Sequence, residues 1–137
     1  MKPGVTSRPR RSTTSVPLPA SLRIALTNAK AIRAETDTFA DADPTALTKA
    51  EPSLRFTAGP SMEPKQVSVD VRGDAVVLAA RSDSGVCYVI GDAANAAGTV
   101  YRNLGLARCQ ATDLPAIPTA VPADEHAVVN GDWARGW

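Results

Sequence analysis

The hydrophobic and polar positions follow a helical period near the start of the chain and a period of two further on. In the segment ASLRIALTNAKAIRAET (20–36), apolar residues recur at the spacing of one face of an α-helix. These residues are Leu22, Ala25, Leu26, Ala29 and Ile32. Polar side chains hold most of the opposite side, so the spacing predicts an amphipathic helix that packs through one narrow stripe.

Several shorter segments predict β-strands, because their apolar residues alternate with polar ones or form short apolar runs. The segments are SLRFTAG (53–59), QVSVDVR (66–72), AVVLAAR (75–81) and VCYVI (86–90), and TVYRNL (99–104) is a candidate for a last strand. The Gly-Asp pair at 73–74 and SDSG (82–85) are typical turn sequences. An Asp-Pro pair at 43–44 predicts the start of a short helix over 45–50.

The order of these elements predicts an α+β fold, with an N-terminal amphipathic helix packed on a three- to four-stranded antiparallel meander sheet. The strand over 75–81 is expected to be the most buried, because it is central and nearly apolar on both faces. Residues 1–19 are interpreted as a basic, proline-rich tail or linker that is disordered. Residues 20–112 form the domain, and residues 113–137 are an irregular C-terminal tail.

Composition and charge are those of a globular domain. The 137 residues suffice for one domain, and 44% of them are hydrophobic while 21% are charged, close to globular averages. Residues 1–11 carry four basic side chains and no acidic one, whereas the rest of the chain carries 11 basic and 14 acidic side chains. A near-neutral body argues against nucleic acid as the main partner, because phosphate binding needs a clustered basic face.

The sequence predicts neither a membrane span nor a signal peptide. The longest apolar run, AVVLAA (75–80), is far shorter than the roughly 18 residues needed to cross a bilayer. The basic residues near the start are followed by STTSVPLPAS instead of an apolar stretch, so no export signal is visible. Either the protein is cytosolic or the start of this sequence is not the native start.

Two cysteines are present, Cys87 in a predicted strand and Cys109 beyond the last strand candidate. A structural zinc site would need four ligands, and adding His126 brings the set only to three, without a Cys-x2-Cys spacing. A redox dithiol would show Cys-x-x-Cys near a βαβ unit. A Cys87–Cys109 disulfide is favoured, because a strand residue and a residue in the chain returning beside it can meet. Two separate buried thiols remain the alternative.

Two motifs have both a functional and a structural interpretation. Arg72-Gly73-Asp74 matches an adhesive tripeptide, but it also lies where the hairpin needs a turn, and the turn is favoured. Asp37, Asp41 and Asp43 offer oxygen ligands of the kind calcium prefers. Their spacing matches no EF-hand, so turn and cap roles are favoured for these three residues.

A catalytic site is not expected. His126, with Asp124 and Asp132 nearby, is the basis of a minor hypothesis that the chain is a small enzyme or ligand-binding domain. The sequence contains no Gly-x-Ser-x-Gly, no P-loop and no Gly-x-Gly-x-x-Gly motif. We therefore expect no catalytic residues, no cofactor and no metal.

An ordered series of short motifs resembles the globular part of type IV pilin-like proteins of actinobacteria. The series runs SLRIALTNAKAIRAET, DTFADADPTAL, EPSL, VSVDV, AVVLAA, SGVCYVIGD, GTVY and a closing cysteine. It covers about residues 21–112. The match departs from the family at Met1–Pro19, where pilins carry a leader and about 20 apolar residues that anchor the subunit.

The resemblance implies a fold and a function. The helix over 20–36 would be the C-terminal half of the long pilin helix, and Cys87 and Cys109 would form the family's C-terminal disulfide. The chain would be a structural subunit of a pilus or pseudopilus, shown without its hydrophobic anchor and located outside the cytoplasm or at the cell surface. Its partners would be other pilin subunits or a secretion apparatus, and it would meet a membrane only through an anchor absent from this chain. The candidate partner-facing residues are Leu22, Leu26, Ala29, Trp133 and Trp137.

An alternative remains in the same family. The chain would then be a free-standing pilin-like module that binds a protein partner or caps a filament tip, and its missing anchor would be native. The C-terminal segment with its two tryptophans would be the contact surface of such a module.

Overall fold

The computed structural model describes residues 20–94, 98–123 and 125–137, and it confirms the α+β class. In this part of the chain, two α-helices, α1 (Ala20–Thr36) and α2 (Pro44–Ala50), accompany one five-stranded sheet. The strands are β1 (Arg55–Thr57), β2 (Gln66–Val71), β3 (Ala75–Arg81), β4 (Cys87–Ala93) and β5 (Gly98–Asn103). The prediction of disorder for residues 1–19 lies outside the described residues.

Both helices have local causes that were readable from the sequence. α1 follows the apolar stripe, and Leu22, Ala25 and Ala29 are fully buried. α2 begins with Pro44 at its first position, and the Asp43 carboxylate accepts a hydrogen bond of 2.8 Å from the Ala46 backbone N–H. This cap satisfies one of the N–H groups that a helix leaves without a partner at its start.

The sheet differs from the predicted meander in strand number and in one strand direction. Its strands follow the order β1-β2-β3-β4-β5, and the neighbours from β2 to β5 are antiparallel. β1 instead pairs with β2 in parallel, so the sheet is mixed. The connection over 58–65 causes the difference, because it returns the chain to the end of the sheet at which β1 began. A two-residue turn would have produced an antiparallel pair.

Two hydrophobic clusters cover the two faces of the sheet. The first lies under α1 and α2 and includes Val76, Leu78 and Ile90. The second lies on the opposite face and includes Val77 and Val89. Alternate residues of β3 and β4 therefore point into different cores, as the period of two requires.

Every residue of β4 is buried, whereas both ends of β3 are partly exposed. The prediction that the strand over 75–81 would be the most buried is therefore wrong. The reason is that the chain after β5 returns across the second face. Leu114 and Trp133 from this segment are buried in the second core. The described residues of 113–137 are irregular, and this segment is attached to the sheet through buried residues such as Leu114 and Trp133.

Candidate functional site

The disulfide predicted from the sequence is present between Cys87 and Cys109. Cys87 opens β4, and the two Cα atoms are 5.3 Å apart. Backbone hydrogen bonds between Cys87 and the chain just after β5 bring the two residues together. Cys87 N–H donates to the Gly105 carbonyl at 2.8 Å, and Leu104 N–H donates to the Cys87 carbonyl at 2.9 Å. Both cysteines are fully buried, so the bond is a staple inside the second core.

The Arg-Gly-Asp tripeptide forms the turn between β2 and β3, and both of its charged side chains are engaged within the chain. Gly73 has φ +61°, which glycine adopts without strain. The Arg72 guanidinium donates to the carbonyl oxygens of Ala111 at 3.0 Å and Leu114 at 2.7 Å. It also contacts the Asp70 carboxylate at 2.5 Å. Arg72 therefore fastens the returning chain to the sheet, and the turn interpretation of this motif holds.

The three aspartates before α2 have separate local roles. Asp43 caps α2, Asp41 ends a short 3-10 turn, and Asp37 adopts φ +65° just after α1. Among the described residues, no group of three or more His, Cys, Asp or Glu side chains is arranged to hold a metal ion. Asp43 has the predicted cap role, and Asp37 and Asp41 lie in the turns before it.

Two residues of the minor enzyme hypothesis, His126 and Asp132, lie at the surface of the C-terminal segment. The exposed His126 ring has Nδ1 at 3.3 Å from the Trp137 carbonyl oxygen. Asp132 is also exposed and lines a shallow groove of about 360 Å³ with Trp133. Asp124 lies outside the described residues. His126 thus contacts main chain near the C-terminus.

The helix residues proposed to face a partner are placed in the chain's own core. Leu22 and Ala29 are fully buried and Leu26 is 7% exposed, all against the first face of the sheet. The opposite side of α1 is exposed and mainly polar, and it carries Ile24 at 41% exposure. The surface that α1 offers to another molecule is therefore its outer side and not the predicted stripe.

The two tryptophans lie on opposite sides of the outer edge of β5, the edge that faces away from β4. Trp133 lies on the second face, where its ring would be 3.2 Å from a Cβ placed on Gly91 of β4. Trp137 lies on the first face, at 4.8 Å from the Tyr101 ring and 5.7 Å from the Tyr88 ring. The Trp137 indole also donates to the Arg102 carbonyl. The last residues, 125–137, are called the strap below, because they wrap this edge.

A charged groove of about 400 Å³ lies between α1 and the β4–β5 pair. The Asp92 carboxylate, 7% exposed as a residue, is 3.4 Å from Lys30 Nζ and accepts a 2.6 Å hydrogen bond from Thr99. Arg33 lines the same groove, and its guanidinium stacks over the Phe39 ring. Lys30 is half-exposed, so it can also reach an acidic group outside this chain.

Sequence reasoning missed the groove and the anchoring role of Arg72. The signal in each case was a charged residue inside or beside a buried strand, such as Asp92 at the end of an apolar run. Burial of a charge requires a partner, so such residues indicate a long-range ion pair or hydrogen bond. The pattern does not say which residue the partner is.

Comparison of this chain with protein-family models, with curated proteins and with solved structures found no match. In residues 20–94, 98–123 and 125–137, no helix is both long and apolar enough to cross a membrane.

Proposed function

We propose that this chain is a non-enzymatic structural subunit of a type IV pilus or pseudopilus-like filament, located outside the cytoplasm. The observation that carries the proposal is the placement of α1. This 17-residue helix covers the first face of the sheet through one stripe, while its outer side stays exposed along its length. A helix used in this way can pack against a neighbouring subunit without disturbing its own core.

The disulfide supports the proposed location. Disulfides persist in oxidising compartments and are rare in the cytosol, where thiols are kept reduced. The Cys87–Cys109 bond lies in the second core. Backbone hydrogen bonds join Cys87 to Leu104 and Gly105 and hold the two parts of the chain together at the disulfide. A domain stapled in this way suits a subunit that must stay folded outside the cell.

Two features of the surface suit contacts between subunits. Ile24 is the large apolar residue on the outer side of α1, and Lys30 from the same helix reaches the charged groove. An apolar contact flanked by charges is the usual arrangement of a protein interface, with the apolar part in its centre. The proposed partner is a second subunit of the same or a related type.

The proposal is tested on filaments sheared from cells of the organism that encodes the chain. Antibodies raised against the folded domain should label filaments along their length, and the sheared protein should carry the intact disulfide. Replacing the chromosomal gene with an Ile24→Asp variant should reduce the filament yield, whereas Thr27→Asp, an exposed change on the same helix, should reduce it less. Protein retained in the cytosol with two free thiols would contradict the proposal. Label confined to filament ends would favour the tip module instead.

A further inference from the structure

The outer edge of β5 is covered by a loop and not by a sixth strand. On its inner edge β5 pairs with β4 at every position from Gly98 to Asn103. On its outer edge it makes two isolated bridges to the strap, one antiparallel between Tyr101 and Ala134 and one parallel between Asn103 and Val129. Because the two bridges run in opposite directions, the strap must reverse between them and cannot continue along β5 as a strand.

The bonds that hold the strap on this edge are few. Tyr101 and Ala134 exchange backbone hydrogen bonds of 2.8 and 2.9 Å, and Asn130 N–H donates to the Asn103 carbonyl at 2.7 Å. These bonds identify Tyr101 and Asn103 as residues whose backbone groups point away from β4. Since this direction alternates along a strand, Thr99 has the same outward orientation.

The outward positions of β5 are complementary to a second copy of themselves. In an antiparallel pair centred on Tyr101, the Tyr101 residues of two copies are opposite each other, and Thr99 is opposite Asn103. All three pairs are of the hydrogen-bonded kind and would exchange about six backbone hydrogen bonds, two for each pair. We propose that β5 is a pairing edge for a second copy of this chain, and that the strap covers it in the single chain.

The side chains in this register are compatible with close pairing. The Tyr101 rings form an aromatic pair at the two-fold axis, and Thr99 meets Asn103 as a polar pair. Arg102 falls opposite Val100 of the other copy, so the two guanidinium groups are not placed against each other. An exposed strand edge is a template for another chain, and covering it with a loop is one way in which proteins prevent such pairing. A two-fold edge pair would join two five-stranded sheets into one continuous sheet.

The two tryptophans decide whether the strap stays in place. Trp133 and Trp137 hold it from opposite faces of the sheet, and Arg102 adds a 2.7 Å hydrogen bond from its Nε to the Gly131 carbonyl. The linking segment before the strap has Pro115, Pro118 and Pro122, and its described residues, 114–123, contain no strand, so the strap can leave without breaking a sheet ladder. This proposal is independent of the filament proposal, because it concerns pairing of the purified chain.

The strap is released in the full chain by Ala134→Pro, because proline has no N–H to donate to Tyr101. Light scattering should give the mass of one chain, 14.3 kDa, for the unaltered protein and twice that mass for the variant at high micromolar concentration. The emission of the two tryptophans should shift to the red while the far-ultraviolet circular dichroism is retained. Ala120→Pro, the same change at an exposed position of the linking segment, should leave the mass unchanged.

The register of the proposed β5 pair, centred on Tyr101, is tested by adding second substitutions to the Ala134→Pro variant. Tyr101→Lys places two ammonium groups against each other at the axis and should restore the single-chain mass, whereas Thr27→Lys, an exposed change on the outer side of α1, should leave the dimer intact. A released variant that is folded and monomeric would overturn the proposal, and a dimer unaffected by Tyr101→Lys would overturn the register. If Ala134→Pro unfolds, Trp137→Ala in the full chain replaces it, because this change removes the anchor of the strap on the first face. There, either an unfolded or a monomeric product counts against a cover that can leave the edge.

Discussion

Arg33 binds Asp74 through two parallel hydrogen bonds, from Nε to Oδ1 and from Nη2 to Oδ2, each 3.0 Å long. Asp74 Oδ1 also accepts the Phe39 backbone N–H at 3.1 Å. The carboxylate therefore joins the last turns of α1, the β2–β3 turn and the 3-10 turn after α1. The Arg33 hydrogen bonds, and after them the Phe39 N–H, lower the pKa of Asp74 below its ordinary value.

The lowered pKa of Asp74 predicts a specific dependence of stability on acid. The folded carboxyl stays ionised at a pH at which the unfolded chain is already protonated there. Its contribution to the free energy of unfolding is present above the unfolded pKa, 3.8, and is lost as the pH falls through the folded value. We expect Asp74→Asn to be less stable than the unaltered protein at pH 7, with the difference shrinking below pH 3.8.

Urea unfolding at neutral and acidic pH measures this difference. Asp83→Asn, the same change at an exposed residue in the next turn, serves as the matched control. An equal deficit of Asp74→Asn at both pH values would show that the ionised carboxylate does not stabilise the fold.

Removal of the disulfide should destabilise the domain strongly. Cys87 and Cys109 are separated by 22 positions, and a closed loop of this size stabilises by about 3 kcal/mol in the chain-entropy model. We expect Cys87→Ala with Cys109→Ala to lower the melting temperature by roughly 10 °C. Mass spectrometry of the unaltered protein should show a mass about 2 Da below that of the reduced form, since the bond removes two hydrogens. Thiols that react freely in the folded protein would contradict this.

A charge introduced on the buried side of α1 should destabilise the domain far more than the same charge on its exposed side. Leu26→Asp places a carboxylate in the first core and should unfold the domain, because a buried charge without a partner is costly. Ile24→Asp makes the same change on the exposed side of the same helix and should shift the melting temperature only slightly. Circular dichroism during heating separates the two results. Similar melting of both variants would mean that α1 does not pack as described.

The sequence predicted the elements well and their long-range arrangement poorly. The bounds of α1 and β3 depend on local periodicity and on turn residues, so they could be read from the chain directly. The direction of β1 depends on the path of residues 58–65, which no periodicity encodes. The strap depends on contacts such as Trp137 to Tyr88, between residues far apart in the sequence.

Gly91 is a single residue whose role could not be predicted from the sequence, because this role depends on a long-range contact. The sequence marks Gly91 only as the end of an apolar strand. In the structure, the side chains of Trp133 and Ile117 occupy the space that a side chain at position 91 would fill. A Cβ at this position would be 3.0 Å from the Ile117 side chain and 3.2 Å from the Trp133 ring. Such a close approach becomes visible only when the returning chain is in place.

The anchoring role of Arg72 should be measurable as a loss of order in the returning chain. Its guanidinium binds three carbonyl oxygens 39 to 43 positions away, those of Ala111, Leu114 and Pro115. Arg72→Met keeps the aliphatic part of the side chain but removes the hydrogen-bond donors. A hydrogen bond from a charged donor contributes about 2 kcal/mol to the free energy of unfolding. Hydrogen exchange should accelerate at the amides over 111–114. Arg108→Met, at a more exposed arginine paired with Asp113, should change stability much less, because a solvent-exposed ion pair is screened by water.

Gly91→Ala should loosen the packing of Trp133 without removing any hydrogen bond. The added methyl group must displace the Ile117 and Trp133 side chains, and such overpacking costs about 1 to 3 kcal/mol in the free energy of unfolding. Gly59→Ala is the matched control, because a Cβ there would meet its nearest neighbour at an ordinary 3.5 Å. Urea unfolding gives the stability of both variants, and tryptophan emission reports whether the ring has moved. Equal stability of the two variants would show that the strap rests more loosely on β4 than the distances indicate.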